Sequence, residues 1–458
     1  MFSYIGMKTQ TVRVKGITKD ITVRLESDAV NLKEAVVTGI YTRNAESFTG
    51  SMATYTNKEL KQVGNLNVLQ SLQALDPAFV ITDNNLRGAD PNATLDISIR
   101  GTTNLTDLES DYEYDPNQPL FILDGFESDL TTITNLNIDR VASITILKDA
   151  ASTAIYGSRG ANGVILVTTR SGREGRARIT FDGKWGISKV RKNYELLSAY
   201  EYAQALNDIR GSQTIPAEDL EAYRNGTKGI DWLNLMTQTA LTQDYSLGIS
   251  GGSEKVRYLL SGNLLDQEAV TINSTYKRYG FRANVDADVR PWLTVSAKLN
   301  GAVIHQANGA PSWFHILSFS PTMEMKDPET GVYNRDPYNL ANANNPYGVA
   351  MENYSDSYSY NLNANLSLLF KIAKGLTLSV QGGYDYDHSP SYSFSSKLIA
   401  PGAINSMNNT SNMHRYWQNT NNLTYQGTFG DHTLSATAVW ELSQTIDTGL
   451  QAGGSNLN

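Results

Sequence analysis

The run LKDAASTAIYGSRGANGVILVTTRSG, residues 147–172, divides the chain into two kinds of sequence. Its glycines at 157, 160 and 163 permit tight backbone turns that residues with a Cβ resist. Val164 to Val167 then predict a short buried strand. The spacing Gly157-x-x-Gly160-x-x-Gly163 invites comparison with a phosphate loop. It fits neither the dinucleotide nor the P-loop pattern, and no Gly-Lys-Ser/Thr follows. The run therefore reads as the structural end of a domain.

Upstream, residues 46–175 read as a mixed α/β domain. Thr56-Asn57-Lys58-Glu59-Leu60 predicts a helix start with Asn or Thr as cap. Val68, Leu69, Leu72 and Leu75 follow at helical spacing, and Asp76-Pro77 ends that helix. Strands are expected at Leu95–Arg100, Leu120–Leu123, Ile144–Leu147 and Val164–Thr169. Residues 31–45 form a linker whose apolar run, Leu32-Lys33-Glu34-Ala35-Val36-Val37-Thr38-Gly39, suits a core strand or an extended peptide that joins a partner's sheet edge. Residues 1–30 alternate with period two. They are too few to fold alone and read as the tail of a small β-domain.

Downstream, residues 176–458 hold nine alternating segments, at 178–188, 241–250, 255–265, 277–289, 292–304, 356–371, 376–387, 414–429 and 432–442. In the fourth, Tyr279, Phe281, Ala283, Val285, Ala287 and Val289 share one face. Arg278, Arg282, Asn284, Asp286 and Asp288 share the other. Most segments have about the 9–11 residues that cross a bilayer as a tilted strand. Short connections at 251–254, 290–291, 373–375 and 430–431 alternate with long ones at 189–240, 266–276, 305–355 and 388–413. Bacterial outer-membrane barrels show this asymmetry, with tight periplasmic turns and long outer loops.

Composition agrees. The chain has 25 Tyr, 6 Trp and no Cys, which excludes disulfides, thiolate metal sites and cysteine nucleophiles. Mean hydropathy is -0.35, and no run approaches the length of a membrane-spanning helix. Net charge is -8 without a basic cluster, so no nucleic-acid partner is expected. A soluble β-rich binding or adhesion protein would share this composition; pattern and loops together favour the barrel. The face predicted to point inward is strongly polar, as suits a lumen that holds a plug, and such lumens occur near 22 strands. Nine strands cannot enclose the preceding domain. The expected chain is thus a fragment, lacking a signal peptide and closing strands, with a non-transporting decayed fragment as the alternative.

The quoted run resembles the end-of-plug signature of the SusC/RagA family of TonB-dependent transporters. Supporting matches are Ile99-Arg100-Gly101, Pro119-Leu120-Phe121-Ile122-Leu123-Asp124-Gly125, Leu32 to Gly39, and the barrel-start pattern from Ser246 to Leu293. The resemblance implies an α/β plug followed by an antiparallel transmembrane β-barrel, incomplete here at about nine of an expected 22 strands. It implies that residues 1–30 end a carboxypeptidase-regulatory-like β-domain. Active import of a glycan or peptide across the outer membrane is implied too, without a cofactor. The implied partners are TonB with ExbB/ExbD, a SusD-like surface lipoprotein and outer-membrane lipid. TonB would pull on Leu32, Lys33, Glu34, Ala35, Val36, Val37, Thr38 and Gly39. The signature residues carried over are Arg100, Gly101, Asp124, Gly125, Lys148, Asp149, Ala150, Tyr156, Gly157, Arg159, Gly160, Asn162 and Gly163.

No Ser-His-Asp or paired-carboxylate arrangement names a catalytic residue, so no enzymatic activity is expected. The five histidines, at 305, 315, 388, 414 and 432, show no metal-ligand spacing and read as loop or interface residues. Asp107, Glu109, Asp111, Glu113 and Asp115 alternate in a loop; a solvated acidic loop and a cation site are the two readings. Trp313, Phe314, Tyr333, Tyr338 and Tyr347 cluster in a long connection. They are candidates for stacking on sugar rings, against a role in an interfacial girdle or in packing the loop itself.

Overall fold

The computed structural model describes residues 35–37, 42–44, 51–63, 68–82, 96–99, 118–134, 136–149, 153–191, 195–210, 214–309, 311–335, 344–430 and 432–456. The expected β-domain tail at 1–30 and the acidic loop 107–115 lie outside them.

Strands β1 (Ala35–Val37) and β2 (Thr42–Asn44) form an antiparallel hairpin within the linker. The α/β domain begins at β3 (Met52–Thr56). Thr56 N and Oγ1 both donate to Glu59 Oε2 at 2.7 Å, which starts α1 (Asn57–Gln62) with a local cap. Helix α2 (Val68–Leu75) buries Val68, Leu69 and Leu72 and stops at Asp76-Pro77. After it come β4 (Phe79–Thr82), β5 (Asp96–Ile99), β6 (Leu120–Leu123), β7 (Phe126–Ser128), α3 (Leu130–Thr134), β8 (Val141–Leu147) and β9 (Val164–Thr169). The five-stranded sheet has the order β3-β8-β9-β6-β7, with β6 and β9 parallel. Its core joins Leu69, Leu72, Phe79, Ile97, Ile133, Ile144, Ile146 and Val167, all buried.

The second region is one nine-stranded antiparallel meander, β10 to β18, in strict chain order. Its strands are β10 (Gly175–Ser188), β11 (Ala240–Gly252), β12 (Val256–Glu268), β13 (Ser274–Arg290), β14 (Leu293–Asn308), β15 (Tyr354–Ala373), β16 (Leu376–Ser395), β17 (Ser406–Phe429) and β18 (His432–Ser455). The alternation selects the faces as expected: Tyr279, Phe281 and Val285 are exposed, while Arg278, Arg282 and Asn284 are buried.

The connections correct two expectations. The supposed long loop 266–276 shrinks to residues 269–273, because β12 and β13 continue to Glu268 and Ser274. Strands β16 to β18 also run past the sequence pattern, so 388–413 contracts to a connection at 396–405. Strand extension also places His305 and His388 in strands; His414 and His432 stand within segments expected as strands, and His315 stands on a helix.

The remaining long connections carry their own helices: α4 (Ala199–Arg210), α5 (Ala217–Arg224), α6 (Trp232–Met236), α7 (Trp313–Ser318) and α8 (Pro346–Glu352). Three of these helices share a core in which Leu233 and Met236 meet Ile316 and Ala350. Trp232 packs edge-on to Phe319 at 5.0 Å and donates its Nε1–H to the Ser320 carbonyl at 2.9 Å. The loops thus build one cap over one end of the sheet.

Candidate functional site: the plug–wall interface

The α/β domain rests against the polar face of the meander, and the quoted signature lies at the contact. Leu123 pairs with Phe126 across the two-residue turn Asp124-Gly125. Both turn residues have positive φ, 54° and 95°, the conformation that favours Asp-Gly in tight hairpins. The turn carries the Asp124 carboxylate into the interface, where it is buried between three residues. Arg282 of β13 donates to Oδ2 at 2.9 Å and Lys298 of β14 reaches Oδ1 at 2.8 Å. Thr169 donates to the same carboxylate through its backbone N–H at 3.0 Å and through its hydroxyl. Burial by itself pushes this carboxyl up; Lys298 and Arg282 outweigh it and hold the group well below the usual carboxylate range. Next to it, Asn284 donates to the Arg170 carbonyl at 2.7 Å, so the strand leaving the plug is tied to the same wall.

A second contact is cationic. Arg140, buried at the start of β8, donates to Asn300 Oδ1 at 2.8 Å and to the Phe281 carbonyl at 3.3 Å. Burial, with Arg282 and Arg278 adding repulsion, pushes its pKa down to about 9, which still leaves it charged at neutral pH. Gly280 makes the space: a Cβ there would stand 3.0 Å from the Arg140 guanidinium. Farther round the wall, Arg159 bridges Glu127 and Glu441 of β18, the latter at 2.9 Å. Gly383 of β16 admits the Phe126 ring, which a Cβ would meet at 2.3 Å.

The other end of the signature holds the chain where it enters the plug. Lys148 N–H donates to the Ser51 carbonyl at 3.1 Å, and Ser51 N–H donates to Asp149 Oδ2. The Lys148 ammonium pairs with buried Asp76 at 2.7 Å. Tyr156 is buried beside Leu147 and Val164, and Asn162 donates to the Gln118 carbonyl at 3.4 Å. Gly157 has φ 60°. Gly163 has φ 93° and abuts Ile99, while Gly160 abuts the Thr153 carbonyl. Arg100, Gly101 and Ala150 lie outside the described residues.

The coupling segment is described only at Ala35–Val37, where its backbone pairs with β2. Leu32, Lys33, Glu34, Thr38 and Gly39 lie outside. The aromatic candidates separate. Tyr333 is 3% exposed, with the Lys326 ammonium 4.1 Å over its ring. Trp313 and Tyr347 pack partly buried in the cap core. Phe314 is half-exposed, and Tyr338 lies outside the described residues. Sequence reasoning missed Arg282, Lys298, Asn284 and Asn300. Their inward face was legible, whereas their partners lie more than a hundred residues away in sequence.

The TonB-dependent receptor plug domain family matches residues 44–164. TonB-dependent receptor P3 of Formosa agariphila is 29% identical over 99% of this chain and 44% of its own length. The receptor SusC of Bacteroides thetaiotaomicron is 30% identical over 62% of this chain and 27% of its own. The RagAB peptide importer in its open-open state superposes with a TM-score of 0.76 at 23% identity, over 92% of this chain and 50% of that one. These likenesses support a SusC/RagA-type TonB-dependent transporter. This SusC/RagA-type chain spans under half the length of the curated relatives it matches. As in its relatives, the α/β plug precedes outer-membrane barrel strands, and the protein resides in the outer membrane. The long-loop cap of a SusC/RagA-type barrel faces outward and the tight turns face the periplasm.

Proposed function

We propose that this protein takes part in TonB-dependent import of a large nutrient, a glycan or a peptide, together with a SusD-like surface lipoprotein. The observation that carries the reading is the placement of β3. It is the edge strand of the plug sheet, paired only with β8 among the described residues, and it is the first strand of that sheet after the coupling segment. Its pairing begins at Met52 opposite Leu147, beside the Ser51 clamp. Tension applied from residues 32–39 reaches this end first, so β3 is peeled one pair at a time. Sequential peeling opposes force with about one hydrogen bond at a time, each worth roughly 1 kcal/mol net. The Asp124 contact lies on the other side of the sheet and holds the rest of the plug to the wall.

TonB docks on the coupling segment by strand addition, because Val36 and Val37 sit in an extended hairpin whose other edge is unpaired among the described residues. Residues 46–175 act as the plug, and 176–458 as the front part of the barrel. Among the described candidates, Phe314 is the cap aromatic available for ligand stacking.

Two measurements test this. A peptide of residues 28–45 is expected to bind the C-terminal domain of TonB; no binding removes the coupling assignment. Deletion of the gene is expected to abolish growth on one class of polymer, oligosaccharide or oligopeptide, while growth on its monomers continues. Unchanged growth on every polymer of both classes overturns the import reading.

A further inference from the structure

The lipid-facing surface of the barrel wall is not flush at one level. Gly262, Phe281, Gly301 and Leu362 stand side by side across β12 to β15. Two of the four have no side chain, and the Phe281 ring leans over Gly301, where a Cβ would meet it at 2.3 Å. The next outward tier holds Tyr279, Val303 and Tyr360, again side by side. Between the tiers runs an apolar groove of about 530 Å³, walled by Tyr279, Phe281, Val303, Tyr360, Leu362 and Tyr386.

Its height in the membrane follows from β15. Toward the periplasmic turn, the same face of that strand carries Leu362, Ala364, Leu366, Leu368 and Phe370; toward the cap it carries Tyr360, Tyr358 and Asp356. The groove therefore sits at the outer end of the apolar belt, where aromatic residues mark the interface.

A guanidinium and an imidazole stand at the same level. Arg415 is the cross-strand neighbour of Tyr386 and shares a face with exposed Trp417. Its Nε is buried and makes no hydrogen bond among the described residues. His388 stacks on Tyr360 at 6.0 Å and bonds Ser411 Oγ at 2.9 Å. An arginine on the lipid-facing side of a barrel is costly away from the interface and favourable beside an anion. Its planar fork suits phosphate oxygens.

We infer that this groove holds an acyl chain of a phosphorylated outer-leaflet lipid, with the phosphate on Arg415. Hydrocarbon is the medium that this face meets, and the adjacent Arg415 guanidinium supplies the charge complement. The assignment rests on the barrel orientation and is independent of what the protein imports.

Native mass spectrometry of the full-length protein in detergent tests it. The probes are lipid A, phosphate-free diacylglycerol and inorganic phosphate. Lipid A is expected to give a retained adduct, and the other two are not. Val303→Trp, which fills the groove, and Arg415→Gln, which removes the charge, are each expected to weaken the adduct about tenfold, while Arg415→Lys retains most of it. Heat-modifiable gel mobility identifies folded variants. Equal adducts in wild type and both folded variants, or diacylglycerol held as firmly as lipid A, overturn the site.

Discussion

The plug and the barrel wall bury opposite halves of similar strands. Strands β6 and β9 of the plug are buried on both faces, inside a core of aliphatic side chains. Strand β13 of the wall turns Tyr279, Phe281 and Val285 outward and buries Arg278, Arg282 and Asn284 against the plug. Each region therefore has its own apolar phase, a protein core in one and the bilayer in the other, and apart from the Phe126 ring on Gly383 the contacts described between them are polar. That division suits a domain that must move. Separating polar surfaces exchanges protein hydrogen bonds for water hydrogen bonds at modest net cost. Separating an apolar interface costs about 25 cal/mol for each Å² exposed.

The sharpest way to break the contrast is at Asp124. Asp124→Ala leaves buried Arg282 and partly buried Lys298 without their carboxylate, and breaking a buried pair such as Asp124–Arg282 costs roughly 3–5 kcal/mol. Hydrogen exchange in β6 and β9 is expected to accelerate accordingly. The triple variant Asp124→Leu, Arg282→Met, Lys298→Met removes all three charges and is expected to regain most of the protection. Protection unchanged by Asp124→Ala alone would show that the ion pair does not hold the plug. Acid gives the same test without mutation. The folded-state pKa of Asp124 is depressed, so its contribution is present above the unfolded value near pH 4 and is lost as pH falls toward the folded value. Protection should fall below about pH 4 in the wild type, and the part owed to Asp124 should be missing from that fall in the triple variant.

The two apolar phases respond differently to truncation. Leu69 is fully buried in the plug core, so Leu69→Ala is expected to cost about 2–5 kcal/mol, read as a lower plug unfolding temperature by calorimetry. Leu366 faces lipid and is half-exposed in the protein alone. Lipid refills the space left by Leu366→Ala, so that change is expected to stay within about 1 kcal/mol. Equal losses from the two substitutions would contradict the assignment of the outward face to the bilayer.

This difference of phases also explains what was legible in the sequence. Where a strand separates lipid from a polar lumen, period-two alternation is strong, and residues 277–289 and 356–371 read correctly as strands. Above the belt both faces meet water or cap. Ser406-Met407-Asn408-Asn409-Thr410-Ser411 then carries no alternation, although it forms the start of β17. Thr56 and Glu59 announced α1 because capping is local. Asp124 stood out within its motif, but Arg282 lies 158 positions away. Only the register of β13 against the plug brings the two together. The cap shows the same limit: Tyr333 and Phe314 look alike in sequence, yet one packs inside and the other lies half-exposed.

A smaller effect is expected at the chain's entry into the plug. Asp149→Ala removes the acceptor for Ser51 N–H, a loss of about 1–2 kcal/mol at an exposed contact. Global melting should barely move. Single-molecule pulling from residues 32–39 should instead show the first peeling event at lower force, because Met52–Leu147 is the pair next in line. An unchanged first event would place the initial resistance elsewhere in the sheet.

The smallest expected effect separates Phe314 from Tyr333 in the cap. Phe314→Ala deletes a half-exposed ring and leaves the core around Trp232 and Phe319 intact. If that ring stacks on ligand, its loss costs about 1 kcal/mol, a roughly fivefold rise in Kd for the transported oligomer by calorimetric titration. Tyr333→Ala works differently. It opens a cavity beneath Gly348 and removes the ring under Lys326, so it is expected to lower cap stability and to weaken ligand binding only through that loss. The pair distinguishes a contact from a scaffold. A change in Kd for Phe314→Ala without a change in melting assigns the contact to that ring; loss of both together would make Phe314 part of the scaffold as well.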